Sequence, residues 1–147
     1  MVSYRPATEH DAEFLYDLLK ATMREYVEAL WGWDEAWQRA HFLEHLNLAR
    51  SQIVVLDGID IGVITIEERL HEVFLSQIYV LPAYQGRGIG TSLIEAVLCD
   101  AFACGLPVAL RVLKSNPGAR RLYRRLGFID QSETETHYLM RAVPDQA

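Results

Sequence analysis

The chain has 147 residues, half of them hydrophobic, which suits one domain with a sizeable core and excludes a disordered chain. A formal net charge of −6 argues against broad nucleic-acid binding, which relies on a basic surface to displace counterions from phosphates. No run of about 18 apolar residues and no basic-then-apolar leader is visible, so the reading is a cytoplasmic protein with no membrane partner.

The opening "VSYRPA" alternates as a short strand. "TEHDAEFLYDLLKATM" predicts a helix, with Thr8 as N-cap, Asp11 in the capping-box position, and Phe14, Leu15, Leu18 and Leu19 along one face. A second helical region, Tyr26 to Ala49, is interrupted near Trp31, Gly32 and Trp33, and Asp34 is placed to cap its second half. The segment from Arg24 to Trp37 is mostly acidic and aromatic, whereas Arg120 to Arg125 is basic, so one part of the chain suits a cation and another an anion.

Next come "SQIVVLDGIDIGVITIEE", in which Asp57 and Gly58 signal a tight hairpin turn, and "EVFLSQIYVL", a third long strand ending at Pro82. These strands predict an antiparallel meander. Thr91 to Ala103 has helical spacing, with Gly105 placed to stop it, and Cys99 and Cys104 read as buried thiols without a disulfide. "PVALRVL" reads as a buried strand, "NPGARRLYRRL" as a short helix with Pro117 in its first turn, and "GF" as the lead into a last strand, "THYLMRAV". The succession predicts an α+β fold, a mixed sheet in which the meander is followed by one β-loop-α-β crossover, within a single domain of residues 1–147.

The loop "YQGRGIG" places three glycines in seven residues directly before a helix. Glycine lets backbone amides approach another molecule, and the first turn of a helix carries unpaired N–H donors and the positive end of the macrodipole, so such a loop can cradle phosphate. It fits neither a dinucleotide GxGxxG nor a P-loop. Instead "QGRGIG", with "IYVLP" before it and "NPGARRLYRRLGF" after it, resembles the GNAT superfamily of acetyl-CoA-dependent N-acetyltransferases. The resemblance is close over Ile61 to Phe128 and follows the whole chain in order of elements.

The resemblance implies a GNAT-like fold with helices on both faces of the sheet, and acetyl-CoA as cofactor. Backbone groups of Ile78, Tyr79 and Val80 would bond the pantetheine arm as a pseudo-strand, and Gln85, Gly86, Arg87, Gly88, Ile89, Gly90 and Thr91 would hold the pyrophosphate. Asn116 would contact the pantetheine, Ala119 would leave room for it, and Tyr123 would be the general acid at the thioester sulfur. In the family a glutamate or histidine base stands on the central strands, where this chain has Phe74, Ser76 and Arg111. Glu68, His71 and Glu72 are then the remaining base candidates, acting directly or through water held by Ser76 and Gln77.

The implied activity is transfer of an acetyl group to a primary amine of a small molecule or peptide by direct attack on the thioester; a homodimer is compatible with it. Tyr26, Glu28, Trp31 and Trp33 are the candidate acceptor-binding residues, because aromatic faces with carboxylates favour a cationic amine. Two rivals belong to other classes. One is a non-catalytic acyl-CoA sensor, suggested by the missing base. The other is a zinc hydrolase built on "HFLEH", in which His41, Glu44 and His45 fit an inverted zincin pattern, although no third-ligand motif accompanies them and no metal is expected.

Overall fold

The computed structural model describes residues 2–144. Its strands are β1 (Val2–Pro6), β2 (Ser51–Leu56), β3 (Ile59–Glu68), β4 (Val73–Val80), β5 (Val108–Leu113), β6 (Ile129–Glu133) and β7 (His137–Ala142), and its α-helices are α1 (Ala12–Trp31), α2 (Glu35–His45), α3 (Ile89–Ala103) and α4 (Pro117–Arg125). The strand order is β1-β2-β3-β4-β5-β7-β6, a mixed sheet as the alternation of elements predicts. The described residues group into two compact units. One comprises those up to Thr65 with Gln77–Arg87, the other Ile66–Ser76 with those from Gly88 onward.

In the first unit, β1 and β3 flank β2 antiparallel, and the β2–β3 turn is made by Asp57 at φ 51° and Gly58 at φ 82°. Both lie in the left-handed region, which makes Asp-Gly a hairpin signal. Helix α1 is entered through the capping box at Thr8 and Asp11, and its Leu15, Tyr16 and Leu18 pack with Phe42 of α2 and with Ile53 and Val63 of the strands. The helix is longer than its residues suggest: Tyr26 lies inside it, and the break comes only at Gly32, whose φ of 76° lets its amide close on the Glu28 carbonyl at 3.0 Å. The run from Thr22 to Leu30 contains no stop signal, so the helix continues until glycine ends it. Asp34 does cap α2, its Oδ1 accepting from the Trp37 amide at 3.0 Å.

Two contacts tie the first unit together. Arg5 donates to Asp11 at 2.7 Å and to Asp60 at 2.8 Å, linking the entry of α1 to β1 and β3, the strands on either side of β2. The Arg5 guanidinium, helped by the Thr8 amide, holds the largely buried Asp11 carboxyl down at about 2. Gly62 of β3 passes so close to β4 that a Cβ there would meet the Tyr79 carbonyl oxygen at 2.3 Å and the Val80 Cα at 3.3 Å. This closeness accompanies a bulge: Val54 pairs with Gly62 but Val55 with Asp60, so Ile61 is the extra residue.

In the second unit, β4 pairs parallel with β5 over Val73 to Leu75, β7 pairs antiparallel with β5 along its whole length, and β6 lies at the edge. Helix α3 buries Leu93, Ile94, Val97, Leu98 and Ala101, a spacing of three and four, and Gly105 follows it at φ 74°. Cys99 and Cys104 are exposed rather than buried: Cys99 falls off that apolar stripe, and Cys104 lies past the last residue of the helix, at its C-cap. Strand β6 is absent from the sequence reading because all five of its residues are exposed and four of them are polar, leaving no alternation to detect.

The ion pair yields a pH-dependent test. Because the folded Asp11 carboxyl lies near 2 against an ordinary 3.8, its stabilisation is complete above about pH 4 and fades as pH falls toward 2. Asp11→Asn is expected to lose on the order of 2 kcal/mol in urea unfolding at neutral pH, with the two proteins converging between about pH 4 and 2. Gly62→Ala is expected to lose roughly 1–3 kcal/mol from overpacking against backbone, read as a lower Tm; an unchanged Tm would mean that β3 and β4 can move apart.

Candidate active site

The glycine loop follows β4. A single turn of 3₁₀ helix, Pro82–Tyr84, leads into it, and Gly86 and Gly88 both stand at φ 77°, a conformation that costs glycine little and other residues much. Gly88 is the N-cap of α3, and the Ser92 amide bonding the Gly88 carbonyl at 3.0 Å is the first turn's closing bond. The amides of Ile89, Gly90 and Thr91 precede that bond, so the helix itself offers them no acceptor. The first turn contains no acidic residue, and a Cβ at Gly86, Gly88 or Gly90 would meet nothing within 4 Å. Such a helix start is open to an anion on geometric and electrostatic grounds alike. Arg87 lies with its guanidinium 5.2 Å from the Tyr84 ring centroid.

The Gln85 side chain serves the chain itself: its Nε2 donates to the Val80 carbonyl at 2.9 Å. The Leu81 amide donates to the Ile61 carbonyl at 2.8 Å, and the Tyr79 carbonyl abuts Gly62, so the end of β4 is held at three successive residues. Ile78 and Tyr79 are half-buried and Val80 is buried.

In the second unit, Asn116 caps α4, its Oδ1 accepting from the Ala119 amide at 3.2 Å. Ala119 and Tyr123 lie on the same side of that helix, three and seven residues after the cap, and both are half-buried. The Tyr123 ring meets Phe128 edge-on at 5.8 Å. Its hydroxyl has no hydrogen-bond partner among the described residues, and burial pushes its pKa up to about 12.

The base candidates differ in their surroundings. Glu68 and His71 are exposed. Glu72 is engaged on both oxygens, accepting from Arg69 at 3.1 Å and from Arg141 at 3.2 Å.

The acidic and aromatic residues between the helices satisfy one another. Glu28 pairs with Arg24 one turn away, and the Arg24 guanidinium lies 5.7 Å from the Trp33 ring centroid. Trp33 packs against the core and donates from Nε1 to Glu35 at 3.1 Å, while Tyr16 donates its hydroxyl proton to the other Glu35 oxygen. Lys20 also pairs with Glu35 and is the main reason, ahead of Tyr16 and Trp33, that its carboxyl is held near 2. Burial and Glu35 together push the Tyr16 hydroxyl to about 12. The sequence gives no sign of this Tyr16–Glu35 link, since only the fold brings α1 and α2 together. Of the expected acceptor residues, Tyr26 is half-buried, and Trp31 and Glu28 are exposed.

The two histidines of the "HFLEH" pattern stack in a row with Trp37. Trp37 lies on His41 at 4.7 Å and His41 on His45 at 4.3 Å, with His45 Nδ1 2.9 Å from the His41 carbonyl. Among the described residues no group of three or more His, Cys, Asp or Glu side chains is arranged to hold a metal ion, and no helix is long and apolar enough to cross a membrane.

Comparison with known proteins adds to this geometry. N-alpha-acetyltransferase 40 of Saccharomyces cerevisiae is 42% identical over 74 residues, covering 42% of this chain and 26% of that protein. The thialysine N-epsilon-acetyltransferase of Mus musculus is 44% identical over 64 residues, covering 43% of this chain and 38% of that protein. The chain thus spans well under two thirds of either relative. The crystal structure of the PaiA N-acetyltransferase from Thermoplasma acidophilum, in complex with coenzyme A, superposes with a TM-score of 0.73 over 97% of this chain and 99% of that one, at 17% identity, a likeness of fold. The sequence profile of the acetyltransferase (GNAT) family matches residues 12–128. With that match running from the start of α1 to Phe128, the chain belongs to the acetyltransferase (GNAT) family.

Proposed function

We propose that the chain acts as one domain that transfers the acetyl group of acetyl-CoA to a primary amine. The observation that carries this reading is the helix start: amides of residues 89–91 ahead of the first intrahelical bond, two glycines at φ 77°, and no acidic side chain in the first turn. These features fit a pyrophosphate, and the family membership makes coenzyme A the ligand expected there. Acetyl-CoA supplies the acetyl group activated as a thioester.

The chain's residues divide the remaining work. Gln85 to Thr91 hold the phosphates through backbone amides, while the Gln85 side chain steadies the Val80 carbonyl. The backbone of Ile78 to Val80 offers strand-spaced donors and acceptors to the amides of pantetheine. Asn116 keeps its amide nitrogen for the same arm after its oxygen has capped α4. Tyr123 holds its proton on the hydroxyl oxygen throughout the neutral range. A thiol ordinarily titrates near about 8.5, so outright proton transfer from so weak an acid runs uphill, and the role that fits Tyr123 is hydrogen-bond donation to the departing sulfur. Glu68 is the better-placed base candidate of the two glutamates, because both Glu72 oxygens are already engaged by arginine.

Coenzyme A is expected to raise the Tm of the protein, as any ligand bound only by the folded state does. Gly90→Glu tests the site, because a side chain there meets nothing within 4 Å and an acidic residue suits a helix start, yet its charge opposes a phosphate. The variant should keep the ligand-free Tm and lose the shift; a normal shift would refute the cofactor assignment. Tyr123→Phe should lower kcat about tenfold to a thousandfold with coenzyme A affinity little changed, and an unaltered kcat would leave Tyr123 as packing.

A further inference from the structure

Strand β5 lies inside the sheet, between β4 and β7, and five of its six residues are buried; Arg111 alone is exposed. Strand β4 repeats the exception, since Ser76 is its one exposed residue. Each directly follows the last pair of the parallel ladder, Leu75 with Leu110, so by alternation both side chains leave the sheet on the face opposite those two leucines. Solvent reaches the sheet face at this point. In β7, Leu139 pairs with Arg111 and His137 with Leu113, placing the imidazole on the same face.

The charges on this face are unevenly answered. Arg69, 4.3 Å from the Phe74 ring centroid, is paired with Glu67 and Glu72, and Arg141 shares Glu72. Arg111 has no acidic partner among the described residues, and the Nε–H of Arg141, opposite Ala109 on the same face, is buried without an acceptor. His137 feels burial first and the Arg111 charge second, and both hold it in the neutral form. A guanidinium exposed in an interior strand, with its neighbours' carboxylates already spent, is a receptor for an anion brought by a ligand, and a planar carboxylate matches its fork of donors.

We propose that Arg111, with Ser76 and His137 beside it, forms a carboxylate-binding subsite for the acceptor, so that the amine acetylated by this protein also bears a carboxylate. The inference rests on the acetyltransferase reading above and narrows its substrate class. It is consistent with the chain: Ser76 precedes Ile78 to Val80, the proposed pantetheine segment, by two residues on the same strand.

The test is a comparison of matched amines with acetyl-CoA as donor: L-lysine against cadaverine and lysinamide, and the peptide Ser-Asp-Gly-amide against Ser-Asn-Gly-amide. The first set asks for a free amino acid, the second for an acidic peptide. In wild type, KM should be lower for the carboxylate-bearing member of at least one set by roughly tenfold to a hundredfold, the range of a charge-assisted hydrogen bond. Arg111→Gln should collapse that ratio and Arg111→Lys should restore part of it, with the Tm of both variants near wild type because the side chain is exposed. Equal KM values in wild type, a ratio untouched by Arg111→Gln, or turnover confined to amines without a carboxylate would overturn the proposal. So would a lack of turnover of every carboxylate-bearing amine. A coenzyme A thermal shift measured on the same samples shows separately whether the acetyltransferase reading still holds.

Discussion

The stretch Tyr79–Val80–Leu81 is fitted closely into its own unit: Gly62, having no Cβ, leaves the space that the Tyr79 carbonyl occupies, the Gln85 side chain binds the Val80 carbonyl, and the Ile61 carbonyl binds the Leu81 amide. The peptide planes at Val80 and Leu81 cannot rotate without losing one of these hydrogen bonds. Gln85 opens the glycine loop, so the strand end and the loop that follows it are fixed by one side chain. Little backbone ordering would remain to be done by any ligand that paired with this stretch.

The elements that local chemistry dictates were legible in the sequence. Thr8 with Asp11, Asp57 with Gly58, Pro117 in a first helical turn, and Gly86 and Gly88 of the loop each announce a conformation that few other residues adopt, and the structure has each of them in that conformation or position. What was not legible depends on neighbours distant in sequence. Gly62 reads as an ordinary interruption of a strand until β4 is laid beside it. The polar face of β6 lacks the alternation that marks a half-buried strand, and the exposure of Cys99 depends on which side of α3 faces the core. Arg111 is visible in "PVALRVL" only as a departure from a hydrophobic run, and its exposure within an interior strand requires the sheet order.

The region between α1 and α2 shows how composition can mislead about charge. Counted as residues, it is acidic and aromatic. Counted as contacts, Glu35 holds Tyr16, Lys20 and Trp33, Glu28 holds Arg24, and Asp34 holds the Trp37 amide. Glu35 fastens α1 to the start of α2, Asp34 caps α2, and Glu28 pairs within α1, so the field of these carboxylates toward a visiting cation is reduced.

The edge strand β6 has a consequence for assembly. A sheet edge invites a second strand to add to it, and proteins discourage this with irregular pairing and charge. Here the ladder between β6 and β7 slips at Gln131, and Asp130 is clasped by Arg120 and Arg124 of α4. An incoming strand would meet a slipped ladder and a cluster of charge at Asp130, both of which make regular pairing along this border of the sheet less favourable.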